Sequence, residues 1–209
     1  MRRAIAILAA FVALACCERI AGNDGPVRDV SGLVNDLRFT MTDENGRVVH
    51  AEDFRGAPVL LYFGYTHCPD VCPTTLAHLS EAARAAAPKG LRIAFVTVDP
   101  ARDTTAQLAE YAHAFGPRVT GLRPDEDELE DLAKRYRVSY SRAKPDARGE
   151  YEVMHSSGVF GFDAEGRARL MILPGASTGD IESAMRRLAN AGAASAQAAK
   201  ARPIASSTQ

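Results

Sequence analysis

The sequence predicts an α/β domain of three layers, with helices on both faces of a central mixed sheet and a β-hairpin ahead of it. Three observations carry that expectation. Val59–Phe63 and Leu91–Val98 are continuous apolar runs, the character of strands buried on both faces. Between them Leu76, Leu79, Ala83 and Ala86 recur at helical spacing, so strand, helix and strand form a parallel pair with a right-handed crossover. Downstream, Gly158–Phe162 and Ala168–Leu173 flank the turn Asp163-Ala164-Glu165-Gly166 and lead into a final amphipathic helix.

The elements follow in order. Leu37–Met41 alternates, Asp43-Glu44-Asn45-Gly46 supplies turn chemistry, and Arg47–His50 returns, which makes the first hairpin. Pro73 suits the first turn of a helix, where its missing N–H costs nothing, and Pro88-Lys89-Gly90 stops that helix. Thr104 and Gln107 have the spacing of a capping box and open a helix bearing Leu108, Tyr111 and Phe115. Asp125–Tyr136 places Leu129, Leu132 and Tyr136 on one face. Residues 141–152 read as a polar loop, and Gly179–Ala189 as a helix with Ile181, Met185 and Leu188 inward. A βαβ unit, then a β-hairpin and a final helix, is the order of a thioredoxin-like domain, with the first hairpin and one helix as insertions.

The chain has 209 residues, 46% hydrophobic and 24% charged, enough for one domain with a sizeable core plus extensions. With a formal net charge of -1, nothing in the composition suggests a nucleic-acid footprint or a polybasic membrane patch. Arg2 and Arg3 precede the apolar run Ala4–Ala15, which is shorter than the roughly 20 residues of a membrane span and suits a secretory signal. The run ends at Leu14-Ala15-Cys16-Cys17, which resembles a lipoprotein processing site. Cys17 has Leu14 correctly placed but Cys16 before it, and Cys16 has Ala13 where leucine is preferred, so either is a candidate for acylation. An ordinary signal peptide or an uncleaved anchor are the alternatives, and all three put the remainder outside the cytoplasm. The expected organisation is a signal over 1–17, a tether over 18–35, the domain over 36–191 and a disordered tail over 192–209, with an Ala-rich helical extension as the alternative for the tail.

With Cys16 and Cys17 assigned to export, Cys68 and Cys72 remain in the domain, as a disulfide, a redox dithiol or metal ligands. Their loop follows the Val59–Phe63 strand and precedes the Pro73 helix, so it lies at the carboxyl edge of the parallel strands, where open α/β sheets bind ligands. Pro69 and Pro73 hold Cys68 and Cys72 off helix, and the helix N-terminus beside Cys72 favours a thiolate. Three intervening residues allow a disulfide and also leave room for both sulfurs to converge on an ion. His155 precedes the Gly158–Phe162 strand; if that strand is antiparallel to its neighbour, His155 faces the cysteine loop. Two thiolates and an imidazole suit Cu(I), or Cu(II) with an added ligand, and soft ligands also accept Zn(II).

The plainer readings stand beside these. Cys68 and Cys72 as a purely structural disulfide would gain little from closing so short a loop. On its residues alone, His155 reads first as a satisfied loop histidine. His67 is assigned to loop hydrogen bonding or thiol tuning, and His50, His78 and His113 to the surface. Asp99 either reaches the ligand-binding edge or forms a turn with Pro100. Asp103 and Arg102 cap the next helix or pair with one another, Asp70 is exposed on the loop, and Tyr62, Phe63 and Phe160 belong to the core.

Tyr62–Leu76 (YFGYTHCPDVCPTTL), Val96–Thr104 (VTVDPARDT), and His155-Ser156-Ser157 ahead of a strand carrying FDAEGR (162–167) closely resemble the Sco/SenC family of copper chaperones. The resemblance runs from the first hairpin through the final helix. It implies a membrane-tethered thioredoxin-like domain that binds Cu(I)/Cu(II) through Cys68, Cys72 and His155. It further implies delivery of copper to the dinuclear site of cytochrome c oxidase subunit II or another cuproprotein, with other copper chaperones as further partners. A thiol–disulfide oxidoreductase acting on the target's cysteines through Cys68 and Cys72 is the alternative, and a thiol peroxidase a third reading. The expected location is the periplasmic face of the bacterial inner membrane, through the N-terminal lipid anchor. The chain departs from the family at Met154, where an aspartate usually precedes the histidine.

Overall fold

A computed structural model describes residues 25–201. The export signal, acylation at Cys16 or Cys17, the first part of the tether and residues 202–209 lie outside the described residues. Among those described, no helix is long and apolar enough to cross a membrane.

Ten strands and four α-helices follow one another as β1 (Val27–Asp29), β2 (Thr40–Asp43), β3 (Val48–His50), β4 (Val59–Gly64), α1 (Val71–Ala86), β5 (Arg92–Thr97), α2 (Thr105–Ala114), β6 (Val119–Arg123), α3 (Glu126–Tyr136), β7 (Tyr140–Arg142), β8 (Val153–His155), β9 (Val159–Phe162), β10 (Ala168–Ile172) and α4 (Thr178–Ala201). Eight strands form one mixed sheet in the order β1-β10-β9-β4-β5-β6-β2-β3, while β7 and β8 form a two-stranded sheet of their own. β4, β5 and β6 are parallel, and β9 runs antiparallel to β4. The predicted three-layer, thioredoxin-like plan is therefore the observed one.

The side-chain alternation of β4 explains the layers. Tyr62 lies beside Phe95 in the parallel register, and Phe95 packs on Tyr111 of α2. Gly161 on β9 faces the same way, against Leu188 of α4. Phe63, Phe160 and Phe162 face the opposite side and gather around Tyr136 of α3. Thus α1, α2 and α4 cover one face and α3 the other. Both hairpin turns are pinned alike: Asp43 accepts from the N–H groups of Asn45 and Arg47, and Asp163 from those of Glu165 and Arg167.

Four expectations need correction. The tether segment 18–35 contains β1, which pairs antiparallel with β10 and buries Val30. β6 is a strand that the sequence reading passes over: Val119–Arg123 is interrupted by Gly121, whose missing Cβ admits Leu108 of α2 at 3.0 Å. The polar loop 141–152 is instead the turn of the β7–β8 hairpin. The tail is not disordered from residue 192, because α4 continues to Ala201, as in the helical alternative.

Candidate metal centre

Gly64 ends β4 and makes the centre possible. A Cβ there would sit 2.6 Å from the Phe95 ring and 3.0 Å from the Cys72 sulfur, so only glycine lets Cys72 tuck beneath the strand end. The loop beyond is held by Asp103, fully buried, which accepts from the Thr66 N–H (3.0 Å), the Thr66 hydroxyl (2.6 Å) and the Thr97 hydroxyl (2.6 Å). Asp103 thus ties the cysteine loop to β5; it neither caps α2 nor pairs with Arg102, whose partner is Asp99 at 2.5 Å. The helix cap belongs to Thr104 and Gln107, as the spacing predicts.

Cys72 lies inside the first turn of α1, with Asp70 as N-cap and Pro73 at the third helical position. Pro73 therefore does not hold Cys72 off helix, because a proline in the first turn removes only an N–H that has no helical partner. The Cys72 N–H, another of those unpartnered donors, points at the Cys68 sulfur at 3.4 Å. Cys72 itself is fully buried, and burial pushes its thiol up to about 12. The expectation of a macrodipole-stabilised thiolate at Cys72 is overturned in the metal-free protein: desolvation outweighs the helix terminus. Cys68 is partly exposed.

His155 closes the group. Its Nε2 lies 3.3 Å from the Cys72 sulfur, across the 83 residues that separate them. Its Nδ1 lies 3.0 Å from the Ser156 carbonyl oxygen, which only accepts, so Nδ1 carries the proton and donates. Burial holds the ring pKa below its ordinary value and hence the ring neutral. A neutral ring protonated at Nδ1 presents a bare Nε2 lone pair to the sulfur, the state a metal-binding imidazole adopts. Tyr62 and Tyr65 stand edge-on to the ring at centroid distances of 6.5 and 5.9 Å and fix its plane.

Cys68 and His155 line one open cleft of about 450 Å3 together with Tyr65, Pro69, Asp70, Val71, Glu152 and Met154. Met154 is 73% exposed at the rim of this cleft. Among the described residues no three His, Cys, Asp or Glu side chains already stand arranged to hold an ion: the Cys72–His155 pair is in place and Cys68 stands beside it. A roomier polar groove of about 660 Å3 includes Arg55 and Arg135, which sit beside Glu52 and Glu128 of the same groove. His67 bonds Thr66 and faces Asp103 at 3.4 Å, the loop role expected of it, and Asp99 is buried in a charged network that the sequence reading left open. Tyr62 and Tyr65 were not legible as ring supports, since nothing in their spacing ties them to a histidine ninety residues away.

The family model described as SCO1/SenC matches residues 33–190. The chain belongs to the SCO1/SenC family. It is 42% identical over 132 residues to the mitochondrial protein SCO2 homolog of Bos taurus, covering 61% of this chain and 50% of that one. It thus spans about half the length of that relative. Among solved structures, Bradyrhizobium japonicum ScoI with copper bound is 33% identical, with a TM-score of 0.67, covering 75% of this chain and 100% of that chain. Yeast Sco1 with copper bound is 28% identical, with a TM-score of 0.71, covering 84% of this chain and 99% of that one.

Proposed function

We propose that this SCO1/SenC chain is an exported, membrane-tethered copper chaperone. It carries one copper ion as cargo and delivers it to the dinuclear copper site of cytochrome c oxidase subunit II. The observation that carries this reading is the Cys72 sulfur 3.3 Å from a bare His155 Nε2, with Cys68 on the same cleft. Two sulfurs and an imidazole are soft donors that suit Cu(I). Cys68, Cys72 and His155 would hold the ion, and Cys68, the exposed member, completes the set as the ion arrives. The copper-bound relatives support the assignment. The lipid anchor at Cys16 or Cys17 and the periplasmic face belong to the same proposal and rest on the N-terminal sequence alone.

Anaerobic titration of the reduced chain tests it. One Cu(I) per chain is expected, with tight binding lost when Cys68→Ser and His155→Ala are combined; retention in that double variant sinks the proposal. On adding Cu(II), sulfur-to-copper charge-transfer absorption is expected.

A second reading, a thiol–disulfide oxidoreductase that reduces the target's copper-ligand cysteines, is favoured by one observation. Both thiols are free, and the sulfur that solvent reaches, Cys68, already has a backbone N–H aimed at it. Exchange would form a mixed disulfide at Cys68, with Cys72 then displacing the reduced target. That activity is expected to survive His155→Ala, and its loss in that variant counts against this reading.

A further inference from the structure

We infer that Asp99 is a positioning residue for His155: its buried carboxylate fastens the hairpin that carries the histidine to the end of the central sheet. The inference rests on the reading of His155 as a copper ligand and names what sets that ligand's place.

His155 is the last residue of β8, and β8 pairs only with β7 in a sheet separate from the eight-stranded one. The ladder hydrogen bonds that hold β4 and β9 in register therefore do not hold this hairpin. Side chains do much of this work: Tyr65 bonds the Val153 backbone, Arg142 reaches Glu126, and Tyr151, Arg142 and Arg102 meet at one buried residue. Asp99 follows the end of β5 by two residues and is fully buried. One of its oxygens accepts from the Tyr151 hydroxyl at 2.9 Å and lies 3.4 Å from Nε of Arg142. The other accepts from Nε of Arg102 at 2.5 Å. Arg142 belongs to β7 and also donates to the Val98 carbonyl at 3.1 Å, while Tyr151 lies just ahead of β8. Arg102 stacks on the Tyr151 ring with its guanidinium carbon 3.6 Å from the centroid. Both limbs of the hairpin thus end on the same carboxylate.

A buried carboxylate is tolerated only when its charge is met and its lone pairs are filled, so this junction is strongly specified. Removing the carboxylate takes from Arg102 and Arg142 the buried anion they share and leaves each only a solvent-exposed carboxylate, Glu150 at 3.7 Å and Glu126 at 3.1 Å. The hairpin then loses its anchor while Gly64, Asp103 and the cysteine loop keep theirs, because Asp103 holds that loop independently. The chain therefore secures the cysteine loop and the histidine hairpin through two different carboxylates, Asp103 and Asp99.

The test uses the purified full chain and two readouts. The first needs no copper: NMR of the His155 ring nitrogens in wild type, Asp99→Ala, Tyr151→Phe and Arg142→Gln. The second is Cu(I) affinity by competition with a chelator, for Asp99→Ala, His155→Ala and the double variant. Loss of the single Nδ1-protonated ring state is expected in Asp99→Ala and, in the same sense, in the two hairpin variants. A fall in Cu(I) affinity of about 10-fold or more is expected for Asp99→Ala. The double variant is expected to bind no more weakly than His155→Ala alone, since Asp99 acts through the histidine. Unchanged ring signals, or losses that add in the double variant, overturn the inference. Should Asp99→Ala fail to fold, Tyr151→Phe, which removes one hydroxyl, and Arg142→Gln decide it through the ring signals. Should wild type take up no Cu(I), the copper reading fails while those signals still decide the positioning role.

Discussion

At the scale of single residues, the centre is governed by burial more than by charge. Cys72 is the case in point: a helix N-terminus favours its thiolate, but burial disfavours the uncompensated negative charge more strongly. The sign of the consequence is fixed. A thiol whose pKa rises from its ordinary value of 9.0 to about 12 on folding contributes stability below pH 9, and that contribution is lost as pH rises toward 12. Tyr136, raised by burial from 10.0 to about 12, acts in the same sense over the upper part of that window. Metal-free protein is therefore expected to lose stability steeply between about pH 9 and 12, and Cys72→Ala to have a shallower slope, as read by denaturant melts across that range. A slope unaltered in Cys72→Ala would mean the thiol titrates as if exposed. Cys68, Cys72 and His155 were legible because their residue types and their places relative to strand ends are written along the chain. The titration of Cys72 was not, because it depends on Phe95, Tyr62 and Gly64 closing over the sulfur from other elements.

At the scale of elements, fit at the end of β4 decides whether the centre exists. Gly64→Ala puts a methyl group where the Phe95 ring and the Cys72 sulfur already are, and neither is a flexible side-chain end. We expect a loss of about 1–3 kcal/mol in chemical denaturation, the ordinary cost of overpacking, and weaker Cu(I) binding than wild type. Binding as tight as wild type in Gly64→Ala would show that the strand end yields freely. The long elements were readable: β4, β5, α1 and α3 announce themselves by continuous or helical apolar patterns and by caps. The β7–β8 hairpin was not, for a physical reason. Its strands are three residues each, Met154 points to water, and Arg142 and Tyr151 read as members of a polar loop until Asp99, just past the end of β5, meets them. β6 escaped notice through Gly121, which breaks an apolar run yet is required for α2 to approach.

At the scale of the whole molecule, β1 converts what reads as a leader into the edge of the sheet. It covers β10 through Val27, Arg28 and Asp29, and Leu173 donates its N–H to the Pro26 carbonyl at 2.7 Å. A chain beginning at residue 36 is therefore expected to melt lower than one beginning at residue 25, by about 2–4 °C for each kcal/mol lost. Equal melting temperatures by calorimetry would mean the strand adds nothing. The same strand sets an orientation. β1 begins opposite Ile172, at the far end of β10, and β10 runs in the direction of β4, so the chain enters the domain on the side where β4 delivers Cys68. Ser157, two residues past His155, and Ile172 line one small pocket there. Ten residues separate Cys17 from Val27, at most roughly 35 Å of extended chain. With the lipid anchor proposed above, the tether would join the domain at the same sheet edge that carries the thiol cleft, so that cleft and mooring point share one side of the molecule.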